Sequence, residues 1–191
     1  MGLQGYKVFI DAGHGGTDPG TSYEDLKEKT LTLEIAKKLE TELKSLGATT
    51  KMSRTTDVYP SLDTRIAESN KFGADIFCSV HVNAGNGTGV ETWVHDNSSS
   101  LTNSLATYVN NAMATTLGVG NRGVKKAPSQ RENDNIKVID PKLINGWAIL
   151  PEVLFIKTDY DKLKQSSVRE QAAKAIARGM FNFSNSIPPK N

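Results

Sequence analysis

Asp75-Ile76-Phe77-Cys78-Ser79-Val80-His81-Val82 is apolar almost throughout, and Asn83-Ala84-Gly85 breaks it. A strand that alternates apolar and polar residues has one face in water; a nearly continuous apolar run reads instead as an interior strand covered on both faces. Ala148-Ile149-Leu150-Pro151-Glu152-Val153-Leu154-Phe155-Ile156 has the same character, with a single carboxylate inside it. Strands of this kind need helices above and below, and the chain supplies four. Leu31, Ile35, Leu39, Leu43 and Leu46 recur at helical spacing and stop at Gly47. Leu62, Ile66 and Phe72 predict a shorter helix after Pro60-Ser61 and before Gly73, and Leu101, Leu105, Val109, Met113 and Leu117 a longer one ending at Gly118. Val168, Ala172, Ile176, Met180 and Phe183 mark the last.

Strand patterns fall between these helices at residues 7–11, 48–53, 75–82, 90–95, about 136–139, and 148–156. The alternation predicts an α/β fold: a single domain with a mixed, mostly parallel central sheet flanked by helices. The Gly- and Asn-rich interval 83–89 predicts a hairpin joining the strands on either side of it. Asn121 to Asn145 is polar and irregular, which reads as a functional loop.

Composition narrows the classes of function. With 191 residues, 37% of them hydrophobic, the chain can bury one substantial core. A net charge of +2, with both signs interspersed, supplies no basic run for a nucleic-acid groove. The lone Cys78 permits no intramolecular disulfide, and its place inside an apolar run makes it a core residue rather than a nucleophile. No window approaches the roughly 18 to 20 apolar residues that span a bilayer. Met1-Gly2-Leu3-Gln4-Gly5-Tyr6 lacks the pattern of a secretory signal, so the expectation is a soluble chain made in the cytoplasm. Ser186-Ile187-Pro188-Pro189-Lys190-Asn191 has the composition of a frayed terminus or the start of a linker.

Two of the three histidines, His14 and His81, sit where an apolar run breaks into small residues. In open α/β sheets ligands bind outside the carboxyl ends of the strands, where such side chains converge. His14 lies within Asp11-Ala12-Gly13-His14-Gly15-Gly16-Thr17-Asp18-Pro19-Gly20, which has neither the glycine spacing of a dinucleotide site nor the Lys-Ser/Thr pair of a phosphate loop. A catalytic zinc takes three protein ligands and leaves a position for water; two histidines and one carboxylate form one such set. The acidic candidates nearby are Asp18, Glu24, Asp25 and Glu28, of which Glu28 immediately precedes the Leu31-to-Leu46 helix, where a carboxylate also serves to compensate the helix dipole. Glu152 reads as a buried base for water activation, or as a solvent-facing residue of an edge strand that Pro151 would allow.

The order Asp-Ala-Gly-His-Gly-Gly, Glu28-Lys29, Ser79-Val80-His81-Val82-Asn83-Ala84, Gly89-Val90-Glu91-Thr92, Asn121-Arg122-Gly123-Val124-Lys125 and Pro151-Glu152-Val153 resembles the zinc-dependent N-acetylmuramoyl-L-alanine amidases of the amidase-3 type, from about residue 6 to 183. The resemblance implies His14, Glu28 and His81 as zinc (Zn2+) ligands and Glu152 as the catalytic carboxylate. It implies hydrolysis of the amide joining N-acetylmuramic acid to L-alanine in peptidoglycan, by a catalytic domain of residues 1–185 with a tail or linker from 186 to 191. A cell-wall-binding domain after residue 191 would fit, as would action on the wall after release through lysis or a membrane pore, in a phage endolysin or a sporulation autolysin. Val153-Leu154-Phe155-Ile156 departs from the Gly-Phe or Gly-Tyr that follows the catalytic Glu in many members, and residues 126–145 are longer and more polar than usual. Roles for Arg131, Glu132 and Asp134 therefore do not carry over, and Glu91 matches the pattern without an assigned role. A zinc peptidase cutting within the stem peptide is the alternative enzyme, although His-Glu-x-x-His is missing; a non-catalytic wall-binding module is the alternative outside enzymes.

Overall fold

A computed structural model describes residues 2–131 and 136–188. Along the chain run β1 (Lys7–Ala12), the short strands β2 (Ser22–Tyr23) and β3 (Leu26–Lys27), α1 (Glu28–Ser45), β4 (Thr49–Met52), α2 (Leu62–Phe72), β5 (Ile76–Asn83), β6 (Val90–His95), α3 (Ser100–Leu117) and β7 (Asn121–Ala127). A 3-10 turn (Lys137–Ile139), β8 (Trp147–Phe155), α4 (Tyr160–Leu163) and α5 (Ser166–Ser186) complete it. Six strands form one sheet in the order β4-β1-β5-β8-β6-β7. The first four are parallel; β6 runs antiparallel to β8, and β7 runs parallel to β6. The sheet is mixed and mostly parallel, as the strand patterns predict.

Local chemistry explains where the helices start and stop. Ser61 and Ser99 cap α2 and α3, their hydroxyls accepting the amides of Thr64 and Thr102 at 3.1 Å, each cap contributing about 1 kcal/mol. Gly73 (φ 70°) and Gly118 (φ 61°) end the same helices in the left-handed conformation. Alternation along β5 then divides the core. Ile76, Cys78, Val80 and Val82 join the layer with α1, α3 and α5, whereas Phe77 joins Phe9, Ala148 and Leu150 beneath Ile66 of α2 and the Val138-Ile139 turn. Burial, helped by the charge of Asp11, pushes the Cys78 thiol up, so it stays protonated in the core. His81 shares the parity of Phe77 and therefore belongs to the face that α2 and the 3-10 turn cover.

Several local expectations change. Residues 136–139 bury Val138 and Ile139 as a turn rather than a strand; their apolar character serves to cover the sheet, not to pair within it. No hairpin joins β5 to β6, because β8 lies between them, paired parallel to one and antiparallel to the other. A strand as apolar as β8 is buried only with neighbours on both sides, and the 84–89 loop crosses its end, where a Cβ on Gly87 would lie 2.6 Å from the Phe155 ring. The polar stretch after Asn121 contains β7, an edge strand whose lysines suit its exposed side. Since β8 is interior, Glu152 is not a solvent-facing edge residue; it is buried.

At the end of β1, Asp11 is tied to α2 by a buried ion pair. Arg65 Nη1 donates to Asp11 Oδ1 at 2.5 Å and Ser79 Oγ to Asp11 Oδ2 at 2.7 Å, with both charged side chains only 2% exposed. Removing one partner strands a charge in the core, which costs about 3–5 kcal/mol. Arg65→Ala is therefore expected to lower the urea midpoint by that much stability at unchanged m-value, measured by equilibrium denaturation.

Candidate active site

Beyond Ala12 the chain leaves the sheet in a turn whose backbone is pinned from several sides. The Gly13 amide donates to Val80 O at 3.1 Å, and a Cβ on Gly13 would fall 2.5 Å from His81 Nε2, so only glycine leaves room for that ring. Next comes His14 at φ 60°, a left-handed conformation that costs a non-glycine residue of order 1–3 kcal/mol. Charged hydrogen bonds hold it there. Arg54 Nε donates to Ala12 O (2.9 Å) and Nη2 to Gly13 O (3.0 Å), while Arg65 Nη1 donates to Ala12 O and Nη2 to His14 O, both at 2.8 Å. Thr32 Oγ1 adds a bond to Gly13 O at 2.7 Å.

This turn aims the imidazole of His14. Its Nδ1 pairs with Asp18 Oδ2 at 2.8 Å, leaving Nε2 facing Glu28 Oε2 at 3.1 Å. Glu28 is the first residue of α1, and its other oxygen, Oε1, lies 3.0 Å from His81 Nδ1. The amides of Thr21 and Val82 donate to Oε2 and Oε1 at 2.9 and 3.0 Å and fix the carboxylate. Burial alone would raise the Glu28 carboxyl, but hydrogen bonds to His14 and His81 and their charge outweigh it and hold it well below the usual range. Burial would lower His14, and the same Glu28 contact, joined by Asp18, raises it instead.

The two imidazoles and the carboxylate bring their donor atoms within 4.8 Å of one another. Tetrahedral ligands at about 2.0–2.1 Å from a zinc ion stand about 3.3 Å apart, close to the separations from Glu28 to each histidine. The donor set and its spacing fit a divalent metal. Asp18 is placed as an outer carboxylate that fixes the orientation of the His14 imidazole.

Glu152 stands beside this cluster, in register with His81 on β5 and with Glu91 on β6. Its carboxyl is 7% exposed, and Oε2 has no hydrogen-bond partner among the described residues. Burial pushes its proton affinity well above the ordinary carboxylate value, and the charges of Glu28 and Glu91 add to the effect against the opposing charge of Arg131. Just beyond it β8 bulges, pairing Asn83 with Phe155, and Leu154 takes φ 66°. Glu91 differs sharply from Glu152. Asn83 Nδ2 (2.7 Å) and Trp93 Nε1 (3.2 Å) donate to its Oε1, and Arg122 Nε to its Oε2 (2.7 Å). A cleft of about 440 Å³ opens over His14, Glu28, His81 and Glu152, with Tyr59 and Arg131 on its walls.

Of the acidic residues near the first motif, Glu28 joins the two histidines and Asp18 backs His14. Glu24 occupies the turn between β2 and β3 at φ 49°, and Asp25 accepts a hydrogen bond from the Tyr160 hydroxyl, so neither joins the cluster. Arg131 lines the cleft, while Glu132 and Asp134 lie outside the described residues. Arg54, Arg65 and the partners of Glu91 escaped the sequence reading; their contacts join residues up to 54 positions apart and leave no periodic trace.

The chain is similar to known proteins over most of its length. A family model described as N-acetylmuramoyl-L-alanine amidase matches residues 8–182. The sporulation-specific N-acetylmuramoyl-L-alanine amidase of Bacillus subtilis (strain 168) is 38% identical over 178 residues, covering 91% of this chain and 66% of its own length. The endolysin of Bacillus phage SPP1 is 34% identical over 188 residues, covering 93% of this chain and again 66% of its own. This chain therefore spans just under two thirds of either relative. The crystal structure of the N-acetylmuramoyl-L-alanine amidase from Clostridium difficile 630 superposes with a TM-score of 0.87 at 33% identity, covering 96% of this chain and 98% of that one.

The cluster makes a direct prediction about metal. Glu28→Ala is expected to lose stoichiometric binding of a divalent cation, whereas Glu24→Ala and Asp25→Ala keep it; Asp18→Ala is expected to weaken binding about 10- to 100-fold. Metal content after equilibrium dialysis measures all four.

Proposed function

The chain belongs to the N-acetylmuramoyl-L-alanine amidase family, and on that premise we propose that it is a peptidoglycan hydrolase cleaving the amide between N-acetylmuramic acid and L-alanine, with His14, Glu28 and His81 as ligands of a zinc ion and Glu152 as the base. The observation that carries the reading is Glu152 Oε2, a buried carboxylate oxygen without a partner, in register with one histidine of the metal-binding cluster. An unpaired buried carboxylate costs several kcal/mol, a cost that a purely structural residue has no reason to incur.

A zinc ion in this cluster supplies Lewis acidity toward a water molecule and toward the scissile carbonyl. The protein side of the reaction belongs to a few groups. Glu152, raised in proton affinity by its surroundings, takes the proton that water gives up as its oxygen bonds to the carbonyl carbon. The same carboxyl then returns the proton to the departing nitrogen as the C–N bond breaks, leaving the lactyl carboxylate and the new L-alanine amino terminus. Asp18 holds His14 in one orientation, and the Thr21 and Val82 amides hold Glu28, so the cluster needs little rearrangement to act. The names of the relatives point to action on the cell wall, in lysis or in sporulation. No helix among the described residues is long and apolar enough to cross a membrane.

Purified sacculi discriminate this function from others. The expected products are new L-alanine amino termini without new reducing sugars; other amino termini would identify a stem-peptide peptidase, and no release at all a binding module. Glu152→Gln, which keeps the shape of the side chain, is expected to lower kcat by about 10²- to 10⁴-fold while metal content stays at the wild-type level. Full turnover in that variant would remove Glu152 from the mechanism.

A further inference from the structure

The zinc-side residues, Glu152 and Glu91 form a row across the sheet, and the row continues. His81, Glu152 and Glu91 are in register on β5, β8 and β6, and β7 lies beyond. Opposite Glu91 the β6–β7 ladder slips, Val90 pairing with Asn121 but Thr92 with Val124, and Gly123 takes φ 80°. A bulge of this kind re-aims a side chain. Here the residue beside the slip is Arg122, whose Nε is bound to Glu91 and whose guanidinium lies 5.0 Å from the centre of the Phe155 ring.

Arg122 is thus held by its inner nitrogen and by an aromatic face. The side chain remains 40% exposed, and its two terminal amino groups have no protein partner among the described residues. Lys125 stands in register with Trp93, and Arg131 lies 5.7 Å over the same indole. The end of the row away from the histidines thus carries the Arg122–Glu91 pair, with Lys125 and Arg131 around Trp93. Across the cleft, Tyr59 and Leu62, both more than 40% exposed, stand next to the His14 turn, with Arg65 and Lys137 beside them.

The two sides differ in what they expose: a guanidinium with free donors beyond Glu91, and aromatic and apolar side chains beside the His14 turn. Under the amidase reading, on which this step rests, Glu152 returns a proton to the departing nitrogen. A released peptide that extends past Glu152, over β6 and toward β7, leaves the muramoyl side toward Tyr59. Two strand spacings of about 4.8 Å separate β8 from β7, a distance spanned by two to three extended residues. We propose that Arg122, anchored by Glu91 and Phe155, is a specificity-determining residue that receives a carboxylate of the stem peptide on the leaving-amine side, its free fork matching the two oxygens. Glu91 is then a positioning residue acting through Arg122 and Asn83.

Binding of the stem tripeptide L-Ala-γ-D-Glu-L-Lys tests the assignment by calorimetry, comparing the peptide with free carboxylates and the same peptide fully amidated. Wild-type protein is expected to prefer the free form by about tenfold, the worth of a charge-assisted bidentate contact. In Arg122→Gln and Arg122→Lys the preference should fall below about twofold, because a lysine keeps the charge but not the fork. Arg122→Lys also retains a cation beside the buried Glu91, so its melting temperature checks that folding is intact. Equal wild-type affinities for the two peptides, or an undiminished preference in Arg122→Lys, would overturn the proposal. Since binding is read without turnover, failure of the sacculus assay would count against the amidase reading alone.

Discussion

Three consecutive carbonyls, those of Ala12, Gly13 and His14, leave the end of β1 with no strand to receive them, and two arginines do so instead. Arg54 and Arg65 together make four bonds to these oxygens, and Thr32 a fifth. Each bond to a charged donor is worth about 1.5–3 kcal/mol, enough together to hold His14 in a backbone conformation it would otherwise avoid. Much else depends on that turn. Gly13 can approach His81 only in this path, and Gly15 and Gly16 lie so close to the 58–59 backbone that a Cβ would meet it at 2.2 and 2.9 Å. The loop carrying Tyr59 is clamped to the same turn that aims the imidazole, so one wall of the cleft and one member of the His-Glu-His cluster are built on a single turn.

Three glutamates within the same part of the sheet show how surroundings divide labour among identical side chains. Glu28 is buried among two imidazoles and two backbone amides, and stays ionised. Glu91 is buried too, but Arg122, Asn83 and Trp93 satisfy it, so its charge is spent within the protein. Glu152, between them, has an oxygen without a partner and the charges of both its neighbours against it. Of the three, Glu152 is the one that combines a raised proton affinity with an oxygen that has no partner among the described residues.

The helices and the parallel core were legible because their signals are local. Ser61 with Gly73 and Ser99 with Gly118 mark helix ends within a turn of the residues they cap, and the apolar runs of β5 and β8 announce burial on both faces. The two histidines were legible for the same reason, each standing where such a run breaks. What stayed hidden was decided by distant partners. β7 is a strand through pairing with β6, not through its own polar residues, and the short β2–β3 ribbon precedes α1 without a hydrophobic pattern. Arg65 illustrates the limit most clearly: an arginine on a helix reads as solvent-exposed, yet it is nearly fully buried because Asp11, Ser79 and the β1 turn form a polar interior around it.

The misplaced hairpin carries the largest consequence for function. Had β5 and β6 paired directly, Glu91 would stand beside His81, and its partners Arg122 and Trp93 would crowd the His-Glu-His cluster with bound charge. Insertion of β8 moves that satisfied ion pair one strand outward and puts Glu152 in the gap. The row His81–Glu152–Glu91 joins two strands that are near neighbours in sequence to a third more than 50 residues further on, and it does not exist until β8 docks between them. The insertion also orders the row chemically, from the His-Glu-His cluster to a carboxylate with an oxygen that has no partner among the described residues, and then to a neutralised carboxylate and arginine.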